Sequence, residues 1–167
     1  MSKEQLAKSY EVYAYTRGLN SFIENDLAQS LKKHEITLPS FRTLWILYFE
    51  KKMTMTDLNY IAQTNFSNAF RQVTKLKEEG LIEIEIEKDS RMKLLTLTEA
   101  GRQIVRNFIE EHILQSDLQI LKTIEKIPQQ DLSIFIKVAS QLSSELIGSP
   151  YTEWITKSTK SITEDKK

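Results

Sequence analysis

The sequence predicts a mainly α fold with a small β part (α+β), and three observations carry that prediction. Apolar residues return at spacings of three and four along most of the 167 residues, the period of helices that bury one stripe. Glycine and proline are scarce, at 4 and 3 residues, which favours helix over a turn-rich sheet. One segment departs from the helical rhythm: Leu81-Ile-Glu-Ile-Glu-Ile-Glu87 alternates apolar and acidic residues, as a strand covered on one face does.

The first helix runs from about Lys3 to His34, with Leu6, Tyr10, Tyr13, Ile23, Leu27 and Leu31 on its stripe. Tyr15, Leu19 and Phe22 widen that stripe, so the helix buries more than one face. Glu35 to Leu38 breaks it, and Pro39 suits the first turn of a second helix to Lys52, where its missing N–H costs nothing. Phe41, Leu44, Trp45, Leu47, Tyr48 and Phe49 make this second helix a core element. Thr56 reads as the N-cap of a short third helix ending near Gln63, with Leu58, Ile61 and Ala62 inward. After the turn Thr64-Asn65-Phe66, a fourth helix runs from Ser67 to Glu79, with Ala69, Val73 and Leu76 buried and Gly80 as its C-cap glycine. Two short helices joined by a tight turn form a helix-turn-helix.

The strand Leu81 to Glu87 is expected to bury Ile82, Ile84 and Ile86. Lys88-Asp-Ser-Arg91 is a charged tip, and Met92 to Leu97 returns as a second strand. Thr98 caps a long helix expected to reach Ile124, and Pro128 opens a last helix to Leu146 that Gly148-Ser-Pro150 ends. The tail from Tyr151 to Lys167 is polar and expected to fray, with Trp154 and Ile155 as its docking residues. The whole is a winged helix-turn-helix core flanked by N- and C-terminal helices.

Composition removes several function classes. Without cysteine there is no thiol catalysis, thiolate metal site or disulfide. His34 and His112 stand in no metal-ligand spacing, and no nucleophile–base pair or phosphate loop is visible, so neither an enzyme nor a metal or other cofactor is expected. No apolar run approaches the ~18–20 residues of a membrane span. The polar start Met-Ser-Lys-Glu-Gln is not a signal peptide, so a cytoplasmic protein without a membrane partner is expected. The zero formal net charge argues against a non-specific nucleic-acid coat but allows a local basic patch.

Such a patch has two candidate parts. The fourth helix presents Ser67, Asn68, Arg71, Gln72 and Lys75 away from its buried stripe. Arginine reads guanine, asparagine and glutamine read adenine, and serine or lysine holds phosphate. The competing reading is an ordinary solvated face. Phe66 and Phe70 are read as packing residues, with a thymine-methyl contact as the alternative for Phe70. The tip supplies Lys88, Arg91 and Lys93; Arg91 suits a minor groove, with Asp89 as its positioner. A plain polar hairpin is the competing reading there.

Asp89, Arg91, Leu97, Thr98 and Gly101 form the pattern Asp-x-Arg, five residues, Leu-Thr-x-x-Gly, which resembles the wing signature of the MarR family of bacterial transcriptional regulators. Lys75-Leu-Lys-Glu-Glu-Gly-Leu-Ile82 is similar to that family's junction of recognition helix and strand. The helix order fits from about residue 10 to 147. Leu44-Trp45-Ile46 and the Ile61-Ala62 helix are most similar to the Hpr-type members, which repress protease and sporulation genes.

The resemblance implies a homodimer on a palindromic double-stranded DNA operator, acting as a repressor by occluding the promoter. It divides the chain into an N-terminal dimerisation helix (1–36), a winged helix-turn-helix DNA-binding region (37–101), C-terminal dimerisation helices (102–150) and a polar tail (151–167). The terminal helices are apolar enough to need a partner surface, the alternative being that they cap one another in a monomer. The resemblance also implies a small phenolic or lipophilic effector, for which Tyr10, Tyr13, Phe41, Trp45 and Tyr48 would line a cleft; the alternative is that these aromatics are core. From a different functional class, a winged-helix adaptor that binds protein and not DNA would suit the acidic row Glu83, Glu85, Glu87.

Overall fold

The computed structural model describes residues 2–86 and 93–164. Helix α1 (Lys3–Leu31) starts at a capping box: Ser2 Oγ accepts from Gln5 N at 3.1 Å, and Gln5 Oε1 accepts from Ser2 N at 2.8 Å. A 3-10 turn (Lys32–His34) and Glu35, at φ 55°, turn the chain into α2 (Leu38–Phe49). Pro39 lies in the first turn of α2, as its chemistry requires. Then follow β1 (Met53–Thr54), α3 (Met55–Ala62), α4 (Phe66–Glu78), β2 (Ile82–Ile86) and β3 (Lys93–Leu97). The chain ends in α5 (Glu99–Leu114), α6 (Gln119–Ile124), α7 (Gln129–Leu146) and α8 (Ser149–Glu164). The fold is therefore mainly helical with one small sheet, as the residue pattern predicts.

The sheet is antiparallel in the order β1-β3-β2, with Ile82 opposite Leu97, Ile84 opposite Leu95 and Met53 also paired with Leu95. Its base closes one end of the core. Leu31, Leu44, Leu47, Leu58, Val73, Leu76, Ile82, Leu95 and Val105 are buried together, drawing on α1 to α5 and the sheet. An aromatic set joins α2 to α5: Phe41 and Phe108 lie 4.5 Å apart by ring centroid, and Trp45 meets Phe49 at 5.2 Å and Phe108 at 6.3 Å.

Four departures from the sequence reading have physical causes. First, Thr54, not Thr56, caps α3: its hydroxyl accepts from Asp57 N at 3.1 Å and donates to the Asp57 carboxylate at 2.7 Å. Second, β2 carries only its base into the core. Ile82 is buried, Ile84 half-buried, and Ile86, opposite Lys93, is 64% exposed because the wing extends beyond the helices that cover it.

Third, the long helix expected to Ile124 breaks at Gln115–Leu118. There Ser116 Oγ accepts from Leu118 N at 3.1 Å, and Asp26 of α1 accepts from Ile120 N at 3.0 Å, satisfying the start of α6. Fourth, the tail does not fray at Tyr151. Gly148, at φ 130°, makes the bend, and Pro150 sits in the first turn of α8 instead of ending a helix.

Helix α8 docks back on the winged-helix core. Trp154 packs against the core cluster, Lys157 pairs with Glu50 at 2.9 Å, and Tyr60 of α3 donates to the Ile147 carbonyl at 3.1 Å. No helix among the described residues is long and apolar enough to cross a membrane.

Candidate nucleic-acid interface

The candidate surface is built on α4. Asn65 caps it, its Oδ1 accepting from Asn68 N at 2.8 Å, so the helix opens one residue earlier than the pattern predicts. At the other end Gly80, at φ 71°, lets Leu81 N reach the Leu76 carbonyl at 2.9 Å and Gly80 N reach Lys77 at 3.0 Å. Ala69, Val73 and Leu76 are buried, and this stripe fixes which residues face outward. Ser67, Arg71 and Lys75 are exposed, while Asn68 and Gln72 are half-buried at the edge. Lys75 and Lys77 occupy the last turn, where the helix dipole favours cations, and Lys75 lies 3.7 Å from Glu79.

The two amides are each partly engaged within the chain. Asn68 Oδ1 accepts from Arg71 Nη2 at 2.8 Å, so this asparagine steadies the arginine. Gln72 Oε1 accepts from the fully buried Ser40 hydroxyl at 2.9 Å, and Ser40 in turn accepts from Thr37 at 3.0 Å. Each amide carbonyl is engaged through one of its lone pairs. A bidentate contact to adenine needs donor and acceptor together. Arg71 is exposed, with its guanidinium held at one nitrogen by Asn68. Ser40 as the support of Gln72 has no signal in the sequence, since the two are joined only by packing of α2 on α4.

Phe66 and Phe70, read as packing residues, are instead 54% and 57% exposed. Lys93 is exposed at the start of β3. Lys88, Asp89 and Arg91 lie outside the described residues. Behind the wing, Thr98 ties the parts together: its hydroxyl donates to the Gly80 carbonyl at 2.8 Å and caps α5 through Gly101 N at 3.1 Å, while its own N–H reaches Leu81 O at 3.1 Å. Gly101 is buried against this strand start, and a Cβ there would lie 2.2 Å from Leu81 O. On β2 the exposed Glu85 is paired with Lys52, which offsets part of the acidic row.

The five aromatics assigned to an effector cleft fall into two groups within one chain. Phe41, Trp45 and Tyr48 belong to the α2 aromatic set, and Tyr48 lines a hollow of about 440 Å³ with Phe49, Arg106, Ile109 and Ile162. Tyr10 and Tyr13 are exposed near the start of α1, their rings 6.3 Å apart.

A polar cluster that spacing did not reveal joins α1 to the end of α5. Lys33 bonds Glu111 and lies 3.3 Å from Asp117; His34 Nε2 is 2.9 Å from Glu111; His112 Nε2 is 3.2 Å from Ser30 Oγ. Glu111, His112 and Asp117 bring three ligand-type atoms within 4.8 Å of one another, but the Lys33 ammonium already pairs with both carboxylates. Lys33 holds the Glu111 carboxyl below its usual range, and that carboxyl in turn raises the lysine. Burial lowers the His112 imidazole.

A family model described as MarR family matches residues 36–91, a stretch that takes in α2, β1, α3, α4 and β2. The HTH-type transcriptional regulator Hpr of Lysinibacillus sphaericus is 27% identical over 104 residues, 62% of this chain and 56% of its own length. A second likeness is to the DNA-binding transcriptional repressor ScoC of Bacillus subtilis, 26% identical over 110 residues, 65% of this chain and 54% of that protein. The chain thus spans little more than half the length of the curated relatives it matches. Among solved structures, the S. aureus MepR–DNA complex superposes with a TM-score of 0.68 at 20% identity, covering 80% of this chain and 98% of that one. The likeness establishes the MarR winged-helix fold.

Proposed function

We propose that this protein is a sequence-specific DNA-binding transcriptional regulator of the cytoplasm that works as a homodimer, and that it represses by covering a palindromic operator. The observation that carries the reading is α4: a helix capped by Asn65, buried along Ala69, Val73 and Leu76, that turns Arg71, Lys75 and Ser67 outward beside a β-hairpin. That is the geometry of a recognition helix, with arginine for base edges and lysine or serine for phosphates. MepR, solved on DNA, has the same fold, and ScoC is named a repressor, which supports the direction of control.

Dimerisation is supported by apolar surface left open in one chain. Leu6, Tyr13, Leu19 and Phe22 on α1 and Phe135, Ile136, Val138 and Leu142 on α7 are all exposed. Patches of that kind mark interfaces in soluble proteins. Two copies also give the arrangement a palindrome requires, with half-sites one turn (~34 Å) apart. For a small apolar effector, the hollow at Tyr48, Phe49, Arg106 and Ile109 is the candidate seat.

The test is a mobility shift on the protein's own promoter fragment at two salt concentrations, with sedimentation equilibrium of the free protein. A specific shift that weakens steeply with salt, from a dimer, is the expected result. Absence of any shift, with capture of a protein partner through the same face, would favour the adaptor reading and overturn this one.

A further inference from the structure

We infer that Phe66 and Phe70 are specificity-determining residues that read thymine methyl groups in the major groove, so that the operator half-site is marked by thymines beside the bases facing Arg71. The inference rests on the DNA-reading function proposed above and deepens it. Phe66 and Phe70 stand four residues apart, so they lie one above the other on a single flank of α4. Both expose more than half of their surface, at 54% and 57%. Neither belongs to the core cluster, whose contributions from α4 are Val73 and Leu76. A phenylalanine pair left half in water on a short helix is unfavourable relative to its buried state.

The surroundings of the pair point to one occupant. Phe70 borders a shallow hollow with Arg71, Thr74, Lys75 and Glu78, so the apolar flank is continuous with the basic outer face of the helix. Lys77 follows Phe70 by seven residues and falls on the same flank. An apolar pair flanked by cations complements the major groove, where phosphates border base edges and the only apolar group on those edges is the thymine C5 methyl. Asn68 and Gln72, on the opposite flank, have their carbonyls engaged by Arg71 and Ser40. One lone pair of each carbonyl is thus already used, and the aromatic flank adds a separate route to A·T discrimination.

The test begins with selection of binding sites from a random duplex pool by the full-length protein. In the selected sites each thymine is then replaced singly by deoxyuridine, which removes the methyl and keeps every hydrogen-bonding group. The expected result is a loss of roughly fourfold in affinity for each contacted methyl, from the free energy of burying one such carbon. Phe70→Ala should abolish the thymine–uracil difference at one position, and Phe66→Ala at a neighbouring one. Melting curves of both variants should match wild type, because the side chains are exposed. Equal affinity for thymine and uracil at every position, or discrimination that survives both variants, would overturn the inference while leaving the DNA-reading function standing. A change of oligomeric state in the variants with discrimination intact would overturn it too, and would assign the flank to a second protein copy. If no sequence is selected from the pool, the proposed function itself fails, and the inference with it.

Discussion

Replacing Gly101 with alanine would set a methyl carbon 2.2 Å from the Leu81 carbonyl oxygen, 3.2 Å from its carbon and 3.3 Å from Leu97 Cδ2. Two of these neighbours are backbone at the start of the wing and cannot rotate away, so α5 must back off by roughly 1 Å to restore van der Waals separation. Overpacking of this kind costs about 1–3 kcal/mol. Backing off also stretches the bonds from Thr98 to Gly80 O and Leu81 O, now 2.8 and 3.1 Å, each worth about 1 kcal/mol. Against this, alanine gains about 1 kcal/mol over glycine in helix propensity. The balance is a loss of about 3 kcal/mol, equivalent to a fall in Tm of about 6–12 °C for a chain of this length. Urea denaturation followed by circular dichroism measures it directly. A variant as stable as wild type, or stabilised by its better helix propensity, would show that the close approach of α5 to the wing is wrong.

Burial keeps the His112 ring neutral in the folded state, against the opposing pull of Glu111 and Asp117. Its folded pKa lies below the unfolded one, so the stability it confers is complete above about pH 6.5 and is lost as pH falls through and below that value. The denaturation midpoint should drop between pH 7 and 5 more in wild type than in His112→Gln, and equal slopes would contradict this. Phe135→Glu places a charge on the open apolar face of α7 and should halve the mass seen in sedimentation; an unchanged mass would remove α7 from the interface. Tyr60→Phe deletes the bond to the Ile147 carbonyl and should cost about 1 kcal/mol in denaturant titrations, whereas no loss would mean water replaces that contact. Arg71→Ala should widen the set of sequences selected from a random duplex pool, and an unaltered consensus would argue that Arg71 holds phosphate only.

Much of the fold was legible because local chemistry and global packing agree. Gly80 marks a true C-cap, Thr98 a true N-cap, and the stripe Ala69, Val73, Leu76 orients α4 as read. The misreadings share a cause, which is information held by distant residues. Thr54 and Thr56 are equally good caps by type, and only the pairing of Thr54 with Leu94 in the sheet selects the first, although the Thr54-x-x-Asp57 spacing was a usable sign. The break after Leu114 depends on Asp26, ninety-four residues before the amide it caps. Ile86 alternates correctly yet finds nothing to pack on, because alternation defines a face and not whether that face is covered. At the candidate site, residue types single out Arg71 and Lys75, which the fold leaves exposed, but the engagement of Gln72 by Ser40 arises from packing of α2 against α4, which no spacing along the chain encodes.

The docking of α8 gives the molecule two built-in optical reporters. Its two tryptophans occupy different structural units: Trp45 lies among Phe41, Phe49 and Phe108 in the α2–α5 core, and Trp154 rides on the last helix with its indole nitrogen buried and unpartnered among the described residues. Release of α8 from α3 would expose Trp154 to water and redden its emission while Trp45 kept its aromatic neighbours on α2 and α5. Fluorescence from single-tryptophan variants would therefore distinguish detachment of the C-terminal helix from melting of the winged-helix core, two events that helix content alone would merge.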